Sequence, residues 1–338
     1  MLEKPDIPDE TIIACLLSEY GLDVVQIAFL PLGADRNTAV YRAVTDDATP
    51  YFVKLRLGDF EEISVALANH LSDLGIMQVM APLATGTGQL WASLDAFKLI
   101  LYPFVEGRNG YKAGLSDRHW REFGTTLKAI HSAVLPQALT GRIRREAYSP
   151  QWRETVRAFL ERVDGDALHD PISAKLAAFF KSRRDEILDL VGRAERLAQS
   201  LQAQSQEFIV CHSDIHAGNV LIGADDAFFI VDWDNPVLAP KERDLMFVGG
   251  GLMGLGRTPQ EEESLFYQAY GEAQIDPVAL AYYRYERIVQ DIAEFCEQVS
   301  STSQGADREQ SFLRLGSIFR PGGVLETAYC SHMTTFST

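Results

Sequence analysis

The chain opens its pattern at residues 9–20, DETIIACLLSEY, where Ile12, Ile13, Leu16, Leu17 and Tyr20 fall on one helical face ahead of Gly21. That spacing predicts a short amphipathic helix closed by the glycine. From there to about residue 105 the period shortens. The runs VVQIAFLPL, AVYRAV, YFVKLRL and FKLILYPFV, bounded by Gly, Asp and Pro, predict strands, with one helix over about 60–74 between them. Beyond VEGRNG the helical period returns, predicting helices over 116–133, 150–163, 172–203, 260–272 and 276–300. Asp276 followed by Pro277 supplies a start signal for the last. In this half only 207–233 reads as strand, and SSTSQGADREQ reads as a loop. The pattern divides the chain into a small sheet-rich lobe, 1–103, and a larger, mainly helical lobe, 104–338, an α+β arrangement of two lobes.

Composition narrows the partners. A chain of 338 residues that is 46% hydrophobic can bury a sizeable core and favours two lobes over one. Lys+Arg 31 against Asp+Glu 47 leaves a net charge of -16, which argues against nucleic acid and for a cationic partner. Cys15, Cys211, Cys296 and Cys330 lie far apart without a CxxC pair, so neither a disulfide framework nor a zinc knuckle is indicated, and a reducing cytoplasm fits. MLEKPDIPDE lacks the basic-then-apolar order of an export signal, and no run of about 18 apolar residues is present, so no membrane partner is expected.

The chemistry concentrates at CHSDIHAGNVLI, residues 211–222, which puts polar, metal-capable side chains where one strand turns into the next. His212, Asp214 and Asn219 have the HxDxxxxN spacing of a kinase catalytic loop, and the following strand, AFFIVDWDNP, ends in Asp232 and Asp234. Phosphoryl transfer needs a carboxylate for the attacking hydroxyl and oxygen ligands for magnesium on the nucleotide phosphates. Two other readings fit these residues. One is a buried polar turn whose aspartates cap backbone amides. The other is a metal hydrolase with His212, Asp214, His216 and Asp232 as ligands. Lys54, mid-strand among apolar neighbours in YFVKLRL, is costly there unless it has a partner, and an acidic helix start, Glu61 and Glu62, follows it.

HSDIHAGN followed by IVDWD resembles the aminoglycoside phosphotransferase family of small-molecule kinases, relatives of choline kinase and methylthioribose kinase; the similarity runs from GADRNTAVY to the C-terminal helices. The resemblance implies a protein-kinase-like fold and transfer of the γ-phosphate of ATP or GTP to a hydroxyl, with Mg2+ as cofactor. It implies Asp214 as the catalytic aspartate, Asn219 and Asp232 as magnesium ligands, Lys54 on the phosphates and Glu62 holding Lys54. It further implies a nucleotide-covering turn with Gly33, Asn37 and Thr38, and a hinge in LILYPFVEG where Pro103 accepts from adenine and Val105 donates to it. His212 would be structural, tying its loop to Asp244. DWD replaces the DFG of protein kinases and no APE sequence follows, so a small molecule is the expected acceptor.

Within the family the resemblance points to a small cationic aminocyclitol, spectinomycin, as acceptor. The helix in DPVALAYYRYERIVQDIAEFCEQV carries Tyr282, Glu286, Asp291 and Glu294, carboxylates among tyrosines that suit an alkylammonium group. With Asp234 they are the expected acceptor residues. The same helix also fits an ordinary salt-bridged face, with Arg284 and Arg287 neutralising the acids. His119, Trp120 and His131 read as helix packing.

Overall fold

The computed structural model describes residues 4–33, 37–58, 60–165, 170–300 and 305–335. Part of the expected nucleotide-covering turn, 34–36, and part of the expected loop, 301–304, lie outside the described residues. The opening amphipathic segment is α1 (Asp9–Tyr20), ended by Gly21 in left-handed backbone at φ 68°. The alternating runs form β1 (Val24–Leu30), β2 (Thr38–Thr45) and β3 (Pro50–Leu57), followed by α2 (Glu62–Asp73), β4 (Ala92–Leu94), β5 (Phe97–Pro103) and β6 (Gly107–Asn109). Next come α3 (Gly110–Ala113), α4 (Asp117–His131), α5 (Gln137–Thr140), β7 (Arg144–Arg145), α6 (Gln151–Gly165), α7 (Pro171–Ser182) and α8 (Arg184–Gln202). The strands β8 (Ile209–Cys211), β9 (Val220–Gly223), β10 (Phe228–Ile230) and β11 (Val237–Ala239) precede α9 (Glu242–Leu245), α10 (Pro259–Tyr270), α11 (Pro277–Ser300), α12 (Gly305–Ile318) and α13 (Val324–Thr335).

Two expectations need correction. The helix expected over 172–203 is two helices, because Arg183 leaves helical backbone at φ -113°, ψ 10° and its guanidinium pairs with Glu186 across the junction. The second half of the chain also holds strands outside 207–233: β11 pairs parallel with β7 and antiparallel with β8. Such short bridging segments carry no period to read.

The chain divides into two compact units that interleave along the sequence. The first comprises 1–114, 132–143 and 218–236. Its sheet is antiparallel in the order β1-β2-β3-β5-β4, and α1 closes one face over Tyr41, Val53, Leu55, Leu99 and Leu101. Each such buried apolar side chain contributes about 1.5–3 kcal/mol of transfer free energy. The sheet β10-β9-β6 belongs to the same unit, because Ile230 N–H donates to Gln78 O at 2.7 Å in the segment after α2. Gly107 is required where β6 meets β9: a Cβ there would sit 2.3 Å from the Ile222 carbonyl oxygen.

The second unit comprises 115–131, 144–217 and 237–338. Its core is built along α11, whose Tyr285, Ile288, Val289, Ile292 and Ala293 are buried with Val156, Leu160, Leu190, Val191 and Leu315 from the helices around it. In this unit α4 and α10 approach so closely that a Cβ on Gly124 would lie 2.3 Å from the Phe266 carbonyl oxygen. Among the described residues, no helix is long and apolar enough to cross a membrane.

Gly124→Ala is expected to cost about 1–3 kcal/mol, as overpacking of a rigid contact does. The helical Gly316, with open space around its would-be Cβ, is the control: Gly316→Ala should stabilise by about 0.5–1 kcal/mol. Urea unfolding of both variants checks the pair.

Candidate active site

In the first unit, Lys54 sits on β3 with its side chain buried, and its ammonium donates to Asp232 Oδ1 at 2.8 Å and to Asp234 Oδ1 and Oδ2 at 2.8 and 2.9 Å. Burial works to discharge the lysine, yet Asp232 and Asp234 outweigh it and hold its pKa above the ordinary lysine value. Two residues on, and therefore on the same face of the strand, Arg56 donates to Asp234 Oδ2 at 2.7 Å and to the Thr38 hydroxyl at 3.0 Å.

The carboxylates reach the lysine because the chain turns sharply after β10. Asp232 adopts left-handed backbone at φ 66°, which aspartate tolerates better than most residues, and Trp233 is buried behind it with its indole N–H on Ile230 O. Asn219 ends a 3-10 turn just before β9, and its carbonyl accepts from Val231 N–H at 3.0 Å. The hairpin thus brings Asn219 beside the residue preceding Asp232.

Glu62 does not hold Lys54 in this structure. It heads α2 and pairs with Arg142 on α2's exposed side, each side chain being 51% exposed, while Asp232 and Asp234 supply the counter-charges that the buried lysine needs. Asp234, expected on the acceptor, lies between Lys54 and Arg56 instead. Gly33 is exposed at φ 88°, Asn37 is exposed with its carbonyl accepting from Leu57 N–H at 2.8 Å, and Thr38 is buried at the start of β2. Pro103 ends β5 opposite Tyr51, and Val105 follows it half-buried. Among the described residues, the Val105 N–H has no main-chain acceptor.

In the second unit, the loop after β8 is fastened by Asp244, a fully buried carboxylate. Its Oδ1 accepts from Ser213 N–H at 2.7 Å, and its Oδ2 accepts from His212 N–H at 2.9 Å and bonds His131 Nε2 at 3.1 Å. Ser213 is held in left-handed backbone at φ 72°. His212 is thus tied to Asp244 as expected, through its main chain, while its ring Nδ1 accepts from Asp214 N–H at 3.3 Å. Asp214 then meets Arg287 from α11, which donates to its Oδ1, and His216 Nε2 lies 3.7 Å from its Oδ2. Burial pushes the Asp214 carboxyl up, but Arg287 and the neighbouring histidines hold it below the ordinary aspartate value.

The other face of Arg287 donates through Nε to Asp291 Oδ1 at 2.9 Å, and Glu294 Oε1 accepts from Gln290 at 2.8 Å. Arg287, Gln290, Asp291 and Glu294 share the partly exposed face of α11. Tyr282 and Glu286 do not extend it. Tyr282 is 2% exposed and packs edge-on against Tyr148, and the buried Glu286 accepts from Arg153, so the helical core absorbs both. Arg284 is buried on the Val248 carbonyl at 2.7 Å rather than on the acids of this face.

His131, Cys211 and Asp244 form a metal-compatible cluster among the described residues. The histidine's Nδ1 is already bonded to the Tyr270 hydroxyl at 2.8 Å and its Nε2 to Asp244, so the cluster is a buried hydrogen-bond network. His119 receives Ser116 N–H at 3.2 Å at the head of α4, and Trp120 is fully buried, as packing residues should be.

The profile of the phosphotransferase enzyme family (APH) matches residues 28–287. The chain belongs to that family. The structure resembles a solved spectinomycin phosphotransferase in complex with ADP and spectinomycin, at 38% identity and TM-score 0.90 over 97% of this chain and 99% of that one. An AMP-bound complex of a spectinomycin phosphotransferase is similar at 37% identity and TM-score 0.86, over 96% of this chain and 98% of that one. An amicoumacin kinase, at 14% identity and TM-score 0.63 over 95% of this chain and 94% of that one, shares the fold. No curated protein sequence matches the chain significantly. Membership in the phosphotransferase family makes the fold kinase-like and the protein an enzyme of phosphoryl transfer.

Arg56 and Arg153 escaped the sequence reading. Arg56 had a signal, since a second cation two residues from Lys54 must share its face. Arg153 had none, because its partner Glu286 lies far along the chain.

Asp244→Asn should cost about 1–3 kcal/mol, since one buried N–H or the histidine loses its acceptor. Burial raises the Asp244 carboxyl, but the His131 hydrogen bond and the nearby groups depress it overall below 3.8. Its contribution is therefore complete above that value and lost as pH falls toward the depressed folded pKa. In thermal melts of wild type and Asp244→Asn, the gap should hold from pH 7 down to about pH 4 and begin to narrow below that.

Proposed function

We propose that this protein transfers the γ-phosphoryl group of ATP to a single hydroxyl of spectinomycin, inactivating the antibiotic. The observation that carries the reading is the end-to-end likeness to a phosphotransferase solved with ADP and spectinomycin, at 38% identity. A substrate site drawn from many segments is preserved most readily when the whole chain is matched.

Asp214 takes the proton of the acceptor hydroxyl as its oxygen bonds to the γ-phosphorus, and the bond to the β-phosphate oxygen breaks to release ADP. Lys54 exchanges its aspartates for the α- and β-phosphates. The Val105 N–H and the Pro103 carbonyl receive the adenine, and Gly33, Asn37 and Thr38 line the phosphates. Glu62 turns from its exposed pair with Arg142 to Lys54 when nucleotide draws the lysine away from Asp232. Asn219 and Asp232 would hold Mg2+: both offer the hard oxygen ligands it takes, and Asp232 is a half-exposed carboxylate beside the side chain that meets the phosphates. When bound, the ion neutralises phosphate charge. Glu294, on the partly exposed face of α11, offers the carboxylate that a methylammonium acceptor requires. The reaction belongs in the cytoplasm, where ATP is available.

ADP release with ATP and magnesium is expected with spectinomycin and far less with kanamycin, whose linked rings exceed a site fitted to a fused tricycle. Mass spectrometry should find one added phosphate. Turnover of kanamycin with spectinomycin unmodified would refute the acceptor and leave the phosphotransfer chemistry standing. Asp214→Ala should lower kcat by about 10²–10⁴-fold with nucleotide affinity nearly unchanged. Lys54→Ala should weaken nucleotide binding, measured by calorimetry on the same preparation.

A further inference from the structure

We propose that Arg287 is the positioning residue of Asp214, and that Asp291 positions Arg287, so that a carboxylate–guanidinium–carboxylate relay on α11 sets the aim of the catalytic aspartate. The inference rests on the phosphotransfer reading above and deepens it.

The geometry is a chain of single contacts. Arg287 Nη1 donates to Asp214 Oδ1, leaving Oδ2 on the side of His216, and Arg287 Nε donates to Asp291 Oδ1 at 2.9 Å. The guanidinium is planar and its donors are fixed relative to one another, so holding Nε on Asp291 fixes where Nη1 points. Its Cζ lies over the Phe247 ring, 5.6 Å from the ring centroid, a third contact on the same group. Arg287 is 15% exposed and Asp291 20%, low for charged side chains, as expected of groups whose solvation has been replaced by each other.

Asp214 follows a residue in left-handed backbone, and its main-chain N–H donates to His212 Nδ1 at 3.3 Å. Arg287 adds a charged contact on the carboxylate itself. On this account Asp291 acts through Arg287 and not as a ligand of the acceptor. The acceptor's cation is left to Glu294, whose partner on this face, Gln290, is neutral.

The test is steady-state kinetics with spectinomycin and ATP, nucleotide affinity by calorimetry, and crystal structures of the variants. Arg287→Ala should lower kcat about 100-fold, the order of loss that a misplaced reacting group brings, with the KM for spectinomycin and the nucleotide Kd unchanged. Arg287→Lys should recover part of kcat, and Asp291→Asn should lower kcat by less than Arg287→Ala and leave the spectinomycin KM alone. Near-normal kcat in Arg287→Ala would overturn the proposal. So would Asp291→Asn raising the spectinomycin KM with kcat intact, since Asp291 would then be an acceptor ligand. Arg287→Gln, which keeps a planar polar head on a shorter stem, takes the place of alanine if that variant does not fold. If wild type phosphorylates no spectinomycin, the acceptor reading fails separately, and the variant structure still decides this one: an Asp214 carboxylate swung from its wild-type position supports the relay, and one that has not moved refutes it.

Discussion

A carboxylate with no exposure to solvent, Asp244, holds the loop that leads to Asp214 in a conformation the loop would not adopt alone. Left-handed backbone at a non-glycine residue such as Ser213 costs about 1–3 kcal/mol. Two charge-assisted hydrogen bonds from consecutive main-chain N–H groups to one acid offset that cost. The acid itself could not stay ionised in the core without them and without His131, which Tyr270 orients from its other nitrogen. Each member of this network is thus the condition for another. The direction in which Asp214 leaves the loop is its product.

Charge compensation follows different rules in the two units. In the first, Lys54 and Arg56 face Asp232 and Asp234, a balanced set of two cations and two acids in which the buried lysine has its counter-charge. In the second, Arg287 answers both Asp214 and Asp291, with His216 3.7 Å from Asp214, while Glu294 stands nearby on the same helix, so the acids outnumber the arginine on that face. A balanced cluster that can trade partners suits an anion arriving with its own metal. An acidic excess suits a cationic acceptor. The overall charge of -16 indicated the second property only in sum.

Long, strongly periodic elements were legible in the sequence, and so was any residue whose role needs no distant partner. Gly21 closing α1 and Asp276–Pro277 opening α11 are decided within a few residues. The motif around Asp214 was legible because phosphoryl transfer demands its residue types at a short fixed spacing. The pairing of Glu62 was not, because whether it meets Lys54 or Arg142 depends on which carboxylates the β9–β10 hairpin delivers to the lysine. Tyr282 and Glu286 were misplaced for the same reason. They share α11 with Asp291 and Glu294, and the packing of α6, which brings Arg153, turns them inward.

The competition for Lys54 also bears on the order of events at the nucleotide. A buried ammonium cannot be left without counter-charge, so it does not move to Glu62 or to phosphate until the incoming group is in place. Asp232 is at once the lysine's partner and the expected magnesium ligand. On the proposed reading, a metal-bound nucleotide would supply both replacements together: Asp232 would turn from the lysine to the metal, and Lys54 would turn from Asp232 to the phosphates. Nucleotide without metal would supply only half of that exchange, leaving Lys54 shared between Asp232, Asp234 and phosphate. Asp234 has no such replacement in prospect except Arg56, which already holds it at 2.7 Å. The arginine that the sequence reading overlooked is what would let the lysine leave without stranding Asp234.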